Sequence, residues 1–345
     1  MSTLVVIGHS QEALDAIEQA RKSGHDGEII LLCPAGILPY HVEMLPSWLA
    51  KDVKESQVFI HLDPFVKTNH IKLMAHEGIT RISSKRKQIT MENKSHIPFD
   101  RLVITDLADV VYPSFKGIHK EGVYNPFTFS SVKALVKASR DVEHVVAQVK
   151  HLAGFNLACA MARLGKDVLI LVPKQGVLSR IFDEETSMII KQVLEAKGIR
   201  LMTDDVDEIL GDAEVKAVRL ESGKVMAAEA VILDDVKPDT RLLQEVEDVA
   251  VLGSAKDGFD MPSSLLLSFG VKILDGFFGG QVRLLENGRE HMKFDGPSNI
   301  YKKIYLLDDS LIGAVWINAP HDRERIMQAL ATRQHLAIGD EDQFL

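Results

Sequence analysis

Two short stretches place residues at the spacing that cradles a dinucleotide pyrophosphate. The first is Leu4-Val5-Val6-Ile7-Gly8-His9-Ser10-Gln11-Glu12-Ala13; the second is Val145-Val146-Ala147-Gln148-Val149-Lys150-His151-Leu152-Ala153-Gly154. Each reads as a hydrophobic strand, a turn and a helix start, where G-x-G-x-x-G would make the tight turn, admit the phosphate and pack helix on strand. The packing position stays small in both, as Ala13 and Gly154, and Gly8 keeps the leading glycine of the first. The position that should approach phosphate is Ser10 in one and His151 in the other. The pattern predicts an intact scaffold around altered phosphate seats.

Other residues suggest other chemistry. Lys150 and His151 at a helix start offer free N–H groups and partial positive charge to an anion, and the alternative is a helix start that faces water. His9 and Ser10 stand similarly on the first helix, where Ser10 reads as an N-cap with Ala13 in the first turn. The 13 histidines lack i, i+4 pairing and adjacent cysteines, which argues against a metal site. Asp204-Asp205 and Asp207-Glu208 resemble a carboxylate cluster, but on a turn before a short strand they read as a solvated edge. Cys33 and Cys159 sit in an apolar strand and a helix, as small buried hydrophobes of a reducing compartment.

The elements that must position these groups follow from periodicity. Residues 1 to about 118 read as a strand, a helix (Gln11 to Ser23), a strand (Glu28 to Cys33), a short helix near Leu45 to Ala50, and a hairpin of Lys87 to Glu92 with His96 to Ile104, turned at Asn93-Lys94. The basic run Ser84-Lys85-Arg86-Lys87 reads as a solvated turn. A second module follows: helix Ser130 to Arg140, strand His144 to Val149, helix Gly154 to Leu164, strand Asp167 to Val172, helix Glu184 to Lys197 and strand Ile199 to Met202. A hairpin of Val215 to Leu220 against Val225 to Ala230 turns at Ser222-Gly223. Such alternation predicts an α/β fold with two Rossmann-like three-layer domains and a small C-terminal α+β domain. The expected limits are 1–118 with about 230–262, an inserted 119–229, and 263–335 with strands Ile300 to Leu307 and Leu311 to Asn318 and a helix from His321 to about Arg333. Residues 336–345 are expected to form a loose tail.

With 345 residues the chain can bury a sizeable core, and 46% hydrophobic residues with a mean hydropathy of +0.03 describe an ordinary globular protein. A net charge of −9 repels phosphate backbones and argues against nucleic acid as a partner. No run is apolar for long enough to span a bilayer, and no secretory signal opens the chain, so a cytoplasmic location is expected.

Six phrases, in order, resemble the FAD-dependent pyridine nucleotide-disulfide oxidoreductases, particularly the NADH:rubredoxin, ferredoxin and nitrite reductase branch. Leu38-Pro39-Tyr40 with Leu45 and Leu49-Ala50 is similar to L-P-Y-x-R-P-x-L-S-x-x-L-A, and Phe99-Asp100-Arg101-Leu102-Val103-Ile104 to Y-D-K-L-V-I-A-T-G-A. The others are Gly165-Lys166-Asp167-Val168, Val236-Lys237-Pro238-Asp239-Thr240-Arg241-Leu242-Leu243, Met261-Pro262-Ser263-Ser264 with Phe269-Gly270, and Tyr301-Lys302-Lys303 through Leu311-Ile312-Gly313-Ala314-Val315.

The resemblance implies cofactor contacts that this chain lacks. The acid that would hold the adenosine ribose is Ala35, the pyrophosphate Arg is Val42, and the A-T-G-A turn reads Thr105-Asp106-Leu107-Ala108. The G-D phrase whose Asp would reach the flavin's ribityl region is reduced to Gly253-Ser254, without the strand pair before it or the helix after it. On the nicotinamide side Pro173 replaces the ribose acid and Asn156 the helix Glu; no C-x-x-C is present, and neither cysteine falls at the thiol position near Ser47. The vestigial cofactor positions are therefore Gly8, Ser10, Ala13, Ala35, His151, Gly154 and Gly253, with no catalytic residue. No cofactor is expected, and the function implied is a degenerate reductase acting as a structural, assembly or docking subunit, assembled with itself or another protein chain. Two alternatives stay open: a reductase that keeps FAD and NAD(P)H and passes electrons to a small redox protein, and a sensor using the remodelled cleft. The apolar stretches Val42 to Leu49 and Phe277-Phe278-Gly279-Gly280 either fill vacated space or meet another chain.

Overall fold

A computed structural model describes residues 2–75, 78–107, 109–173, 177–244, 246–247, 249–252, 254–257, 267–319, 323–337 and 339–345. The chain forms two compact units, Met1–Pro113 with Phe127–Val132 and Val236–Asp260, and Ser114–Pro126 with Lys133–Asp235 and Met261–Leu345.

In the first unit, β1 (Leu4–Ile7) leads through α1 (Gln11–Lys22) to β2 (Ile29–Leu32). β3 (Ile71–Met74) extends the sheet beyond β2, and β4 (Arg101–Ile104) flanks β1 on the other side, followed by Ala250–Val251. All these pairs are parallel, with Ile7 opposite both Leu32 and Ile104. Both faces are covered, which is why the strands read as unbroken aliphatic runs. Val5, Ile7, Ile30, Leu32, Leu102 and Ile104 enter one core, and Leu4, Val6, Ile29 and Leu31 enter the other with Ala13 and Ile17 of α1.

The expected run from His96 to Ile104 is divided. His96–Pro98 completes a small antiparallel sheet with Ile79–Ser83 and Gln88–Met91, and Arg101–Ile104 pairs with β1. Pro98 cannot donate a ladder bond beyond that point. The turn at Asn93-Lys94 forms as read, with Lys94 at φ 67° and Ser95 N–H donating to Asn93 Oδ1 at 2.7 Å.

The second unit repeats the design. β5 (His144–Gln148), α2 (Leu152–Arg163), β6 (Asp167–Leu171), α3 (Glu184–Ala196), β7 (Arg200–Met202) and β8 (Ala230–Leu233) form a parallel sheet in the order β7-β6-β5-β8, edged by Val123–Tyr124. Ala230 thus opens a strand of this sheet and is not the end of the hairpin, which stops at Ala227. The second unit's segment runs through Asp235, and the first unit resumes at Val236.

The C-terminal part is larger than the expected strand pair. β9 (Gly276–Gly280), β10 (Arg289–Asp295), β11 (Ile300–Leu307) and β12 (Ser310–Ile317) join Leu267–Phe269 in a five-stranded antiparallel sheet, backed by α4 (Arg323–Thr332). The tail at 336–345 is packed and not loose. Leu336 and Phe344 are buried with Trp316 and Leu311, and the Arg325 guanidinium lies 5.0 Å from the Phe344 ring. Two apolar anchors outweigh the fraying expected of a terminus. Among the described residues no helix is long and apolar enough to cross a membrane.

Candidate functional site

The turn after β1 is closed by an acid from the end of β4. Asp106 accepts the His9 backbone N–H at 2.8 Å on Oδ1, and the Ser10 and Thr105 hydroxyls at 2.6 and 2.9 Å on Oδ2. His9 Nδ1 lies 2.6 Å from Oδ1, a close contact outside hydrogen-bond alignment. Burial pushes the Asp106 carboxyl up, but the charge of His9 and the bonds from His9 and Ser10 outweigh it and hold the pKa below its ordinary value. Ser10 does occupy the N-cap position of α1, yet its side chain does not cap the helix; its hydroxyl goes to Asp106. A Cβ at Gly8 would stand 2.1 Å from Thr105 Oγ1 and 2.8 Å from Asp106 Oδ2, so the surviving glycine makes room for the chain's own acid.

An aromatic column lies against the same turn. The His9 ring stacks on Tyr40 at 5.1 Å, Tyr40 meets Phe129 at 5.6 Å, and Phe129 stacks on Trp48 at 5.2 Å. Tyr40 donates to the Phe127 carbonyl and accepts the Phe129 N–H, both at 3.2 Å. His9 and Tyr40 are 7% and 5% exposed, and Leu45, Trp48 and Leu49 are also buried. For the stretch 42–49 the choice between filling and outward contact therefore resolves toward filling at Leu45, Pro46, Trp48 and Leu49, while Val42 and Glu43 are exposed. Phe277 and Phe278 are likewise buried.

The second turn is also closed by an acid, there through backbone donors on both oxygens. Asp234, one residue past β8, is fully buried and takes the backbone N–H groups of Lys150 and His151 at 2.7 Å each, one on each carboxylate oxygen. A Cβ at Gly154 would meet Asp234 Oδ2 at 2.3 Å. The Lys150 ammonium donates to Asp235 Oδ2 at 2.5 Å, and Arg180 donates to the Lys150 carbonyl. The anion foreseen at Lys150 and His151 is thus supplied from within the chain.

The remaining sequence candidates are dispersed. Ala35 adopts a left-handed conformation, φ 53°, and lines a cavity of about 590 Å³ with Pro34, Ile79, Glu92, Asp109 and Asp239. Asn156, at the helix-Glu position, accepts the Gly270 N–H at 2.9 Å and so braces the C-terminal sheet. Gly253 lies outside the described residues; a single helical turn, Ser254–Asp257, follows it. Cys33 and Cys159 are fully buried, and burial pushes both thiol pKa values up, that of Cys33 to about 12. Glu208, read as part of a solvated edge, is 7% exposed and pairs with Lys116 at 2.6 Å and with Arg219.

A polar cluster in the second unit was not foreseen. Lys303 is 1% exposed and its ammonium lies 2.9 Å from Asp183, 2.8 Å from Glu185 and 3.2 Å from Glu290. Tyr305 donates to Asp183 Oδ2 at 2.6 Å, and Asp183 caps α3 by accepting the Thr186 N–H at 2.8 Å. Burial pushes Asp183 up, but the bonds from Tyr305, Thr186 and Lys303 hold it at about 2. The cluster fastens the C-terminal sheet to α3. The alternation of Lys303 with Tyr301 and Tyr305 along β11 was its one visible sign.

The residues present do not fit a dinucleotide phosphate. The His9 N–H of the first turn and the Lys150 and His151 N–H groups of the second already hold a carboxylate, and Ala35 and Pro173 stand where the ribose acids would be.

Comparison with known proteins agrees with the architecture. A family model described as pyridine nucleotide-disulphide oxidoreductase matches residues 2–256. The assimilatory nitrate reductase electron transfer subunit of Bacillus subtilis (strain 168) is 20% identical over 385 residues, covering 97% of this chain and 50% of that protein. Rubredoxin-NAD(+) reductase of Ectopseudomonas oleovorans is 23% identical, covering 67% of this chain and 60% of that one. This chain spans about half the length of the first of these curated relatives. The covalent putidaredoxin reductase–putidaredoxin complex shares the fold, with a TM-score of 0.77 at 15% identity over 96% of this chain and 93% of the matched chain.

Proposed function

Within the pyridine nucleotide-disulphide oxidoreductase family, to which this chain belongs, we propose that it serves as a catalytically degenerate member, a structural or docking subunit that assembles with itself or with another protein chain. The observation that carries this reading is the aromatic column from His9 through Tyr40 and Phe129 to Trp48. It covers the first turn with the chain's own side chains, where an FAD pyrophosphate would need open backbone. The absence of an acid at Ala35 and at Pro173 supports the same reading from the ribose side of both modules.

A second reading is favoured by the relatives. One that matches nearly the whole chain is named as an electron transfer subunit, and a reductase of this fold is found joined to putidaredoxin. On that reading the chain holds FAD and NAD(P)H through backbone contacts and passes electrons to a small redox protein.

An absorbance spectrum and native mass, taken on protein purified without denaturation and again after incubation with excess FAD and NADH, separate the two. The docking reading expects no flavin band and a mass above that of one chain. About one flavin per chain together with NADH-dependent dye reduction overturns it in favour of the reductase.

A further inference from the structure

We propose that Asp106 and Asp234 are built-in phosphate surrogates, each occupying the anion seat of one module, so that a dinucleotide can enter only by displacing the chain's own carboxylate. The inference deepens the docking reading and rests on it for biological sense, but it is carried by a different observation.

Two oxygens fixed on backbone N–H groups at the start of a 12-residue helix are what a phosphate presents to such a turn. Asp234 supplies this in full, and Asp106 supplies it with one oxygen on the His9 N–H and the other on the Ser10 and Thr105 hydroxyls, from acids just past two different strands. Asp106 lies two residues beyond β4 and Asp234 one beyond β8, and β4 and β8 are the parallel partners of β1 and β5, from which the two turns emerge. A carboxylate placed once could be incidental packing; two, on equivalent partner strands and each holding a backbone N–H of its turn, point to a shared role.

The surrounding residues are shaped to the acids. The space needed at Gly154 is set by the Asp234 oxygen, that at Gly8 by the Thr105 hydroxyl and then the Asp106 carboxylate it donates to, and Ser10 directs its hydroxyl to the carboxylate instead of capping its helix. Because each acid is tethered, a phosphate that enters its turn must displace an intramolecular partner that is always present.

The test uses the full chain, isotopically labelled, with inorganic pyrophosphate as the probe and the Lys150 and His151 amide resonances as the readout. Wild type and Asp234→Asn, which preserves the volume of the plug, are expected to show no saturable shift. Asp234→Ala is expected to bind pyrophosphate at least about tenfold tighter than wild type. Equal binding by wild type through those amides, or no gain in a folded Asp234→Ala variant, overturns the proposal. Should that variant fail to fold, amide exchange in the wild type decides: His9, Lys150 and His151 should be protected, and exchange at the rate of exposed amides overturns the proposal. Flavin content of the same preparations separates this inference from the docking reading. Bound flavin with the His9 amide released and the Lys150 and His151 amides still protected would reject the docking role and leave the Asp234 surrogate standing, whereas bound flavin with the His9 amide unchanged overturns the proposal for Asp106.

Discussion

A methyl group at residue 154 would stand 2.3 Å from Oδ2 of Asp234, so glycine and carboxylate are a matched pair. Asp234 cannot retreat without breaking its bonds to Lys150 and His151. Gly154→Ala should therefore destabilise the second unit by about 1–3 kcal/mol, and Gly154→Ala with Asp234→Gly should recover part of that loss. Urea denaturation of both single variants and the double variant measures the coupling.

Asp234 also sets a pH response. Burial, and then the neighbouring charge of Asp235, push its carboxyl up to about 7, against the bonds from Lys150 and His151 and the charge of Lys150. The folded chain therefore binds this proton more tightly than the unfolded chain does, whose carboxyl has the ordinary value of 3.8. Its contribution to stability is complete below pH 3.8 and is lost as pH rises through about 7. The groups facing it are Asp235, Lys150 and His151, with Arg180 on the Lys150 carbonyl. Asp234→Asn should flatten this part of the stability profile between about pH 4 and 7, read as unfolding free energy against pH. An unchanged slope would mean that another group carries it.

The Lys303 cluster titrates in the opposite sense. Asp183 is held at about 2, so its contribution is present above the ordinary carboxylate value and fades as pH falls through about 2. Lys303→Met leaves Asp183, Glu185 and Glu290 without their shared cation and should cost about 3–5 kcal/mol at pH 7. The loss should shrink near pH 4.5, where the orphaned carboxylates begin to take up protons.

The aromatic column can be tested by truncation. Trp48→Ala removes the ring stacked on Phe129 and should cost about 3–5 kcal/mol. Tyr40→Phe keeps the stack and loses two hydrogen bonds, for about 1–2 kcal/mol.

Both thiols should be silent toward a thiol-reactive dye in the folded protein and react fully on unfolding. Their complete burial and raised pKa values leave almost no accessible thiolate.

The strands were legible because burial on both faces leaves aliphatic runs such as Leu4–Ile7 and Ile29–Leu32, which have no other stable use. The loss of phosphate glycines at Ser10 and His151 was equally plain. The replacement was not, because an Asp just past a strand looks like any loop acid until the fold brings it to its donors, 97 positions away for Asp106 and 84 and 83 for Asp234. The tail misled for a related reason: Phe344 is short-range noise in a polar segment until Trp316 and Leu311 supply its pocket.

Those separations bear on how the chain reaches its native state. The turn after β1 emerges first in synthesis, but its N–H groups stay unpaired until residue 106 arrives, and those after β5 wait for residue 234. Each half must hold its strands in parallel register before its own closing acid can be seated, so both turns belong to the late, slow part of folding set by long loop closure.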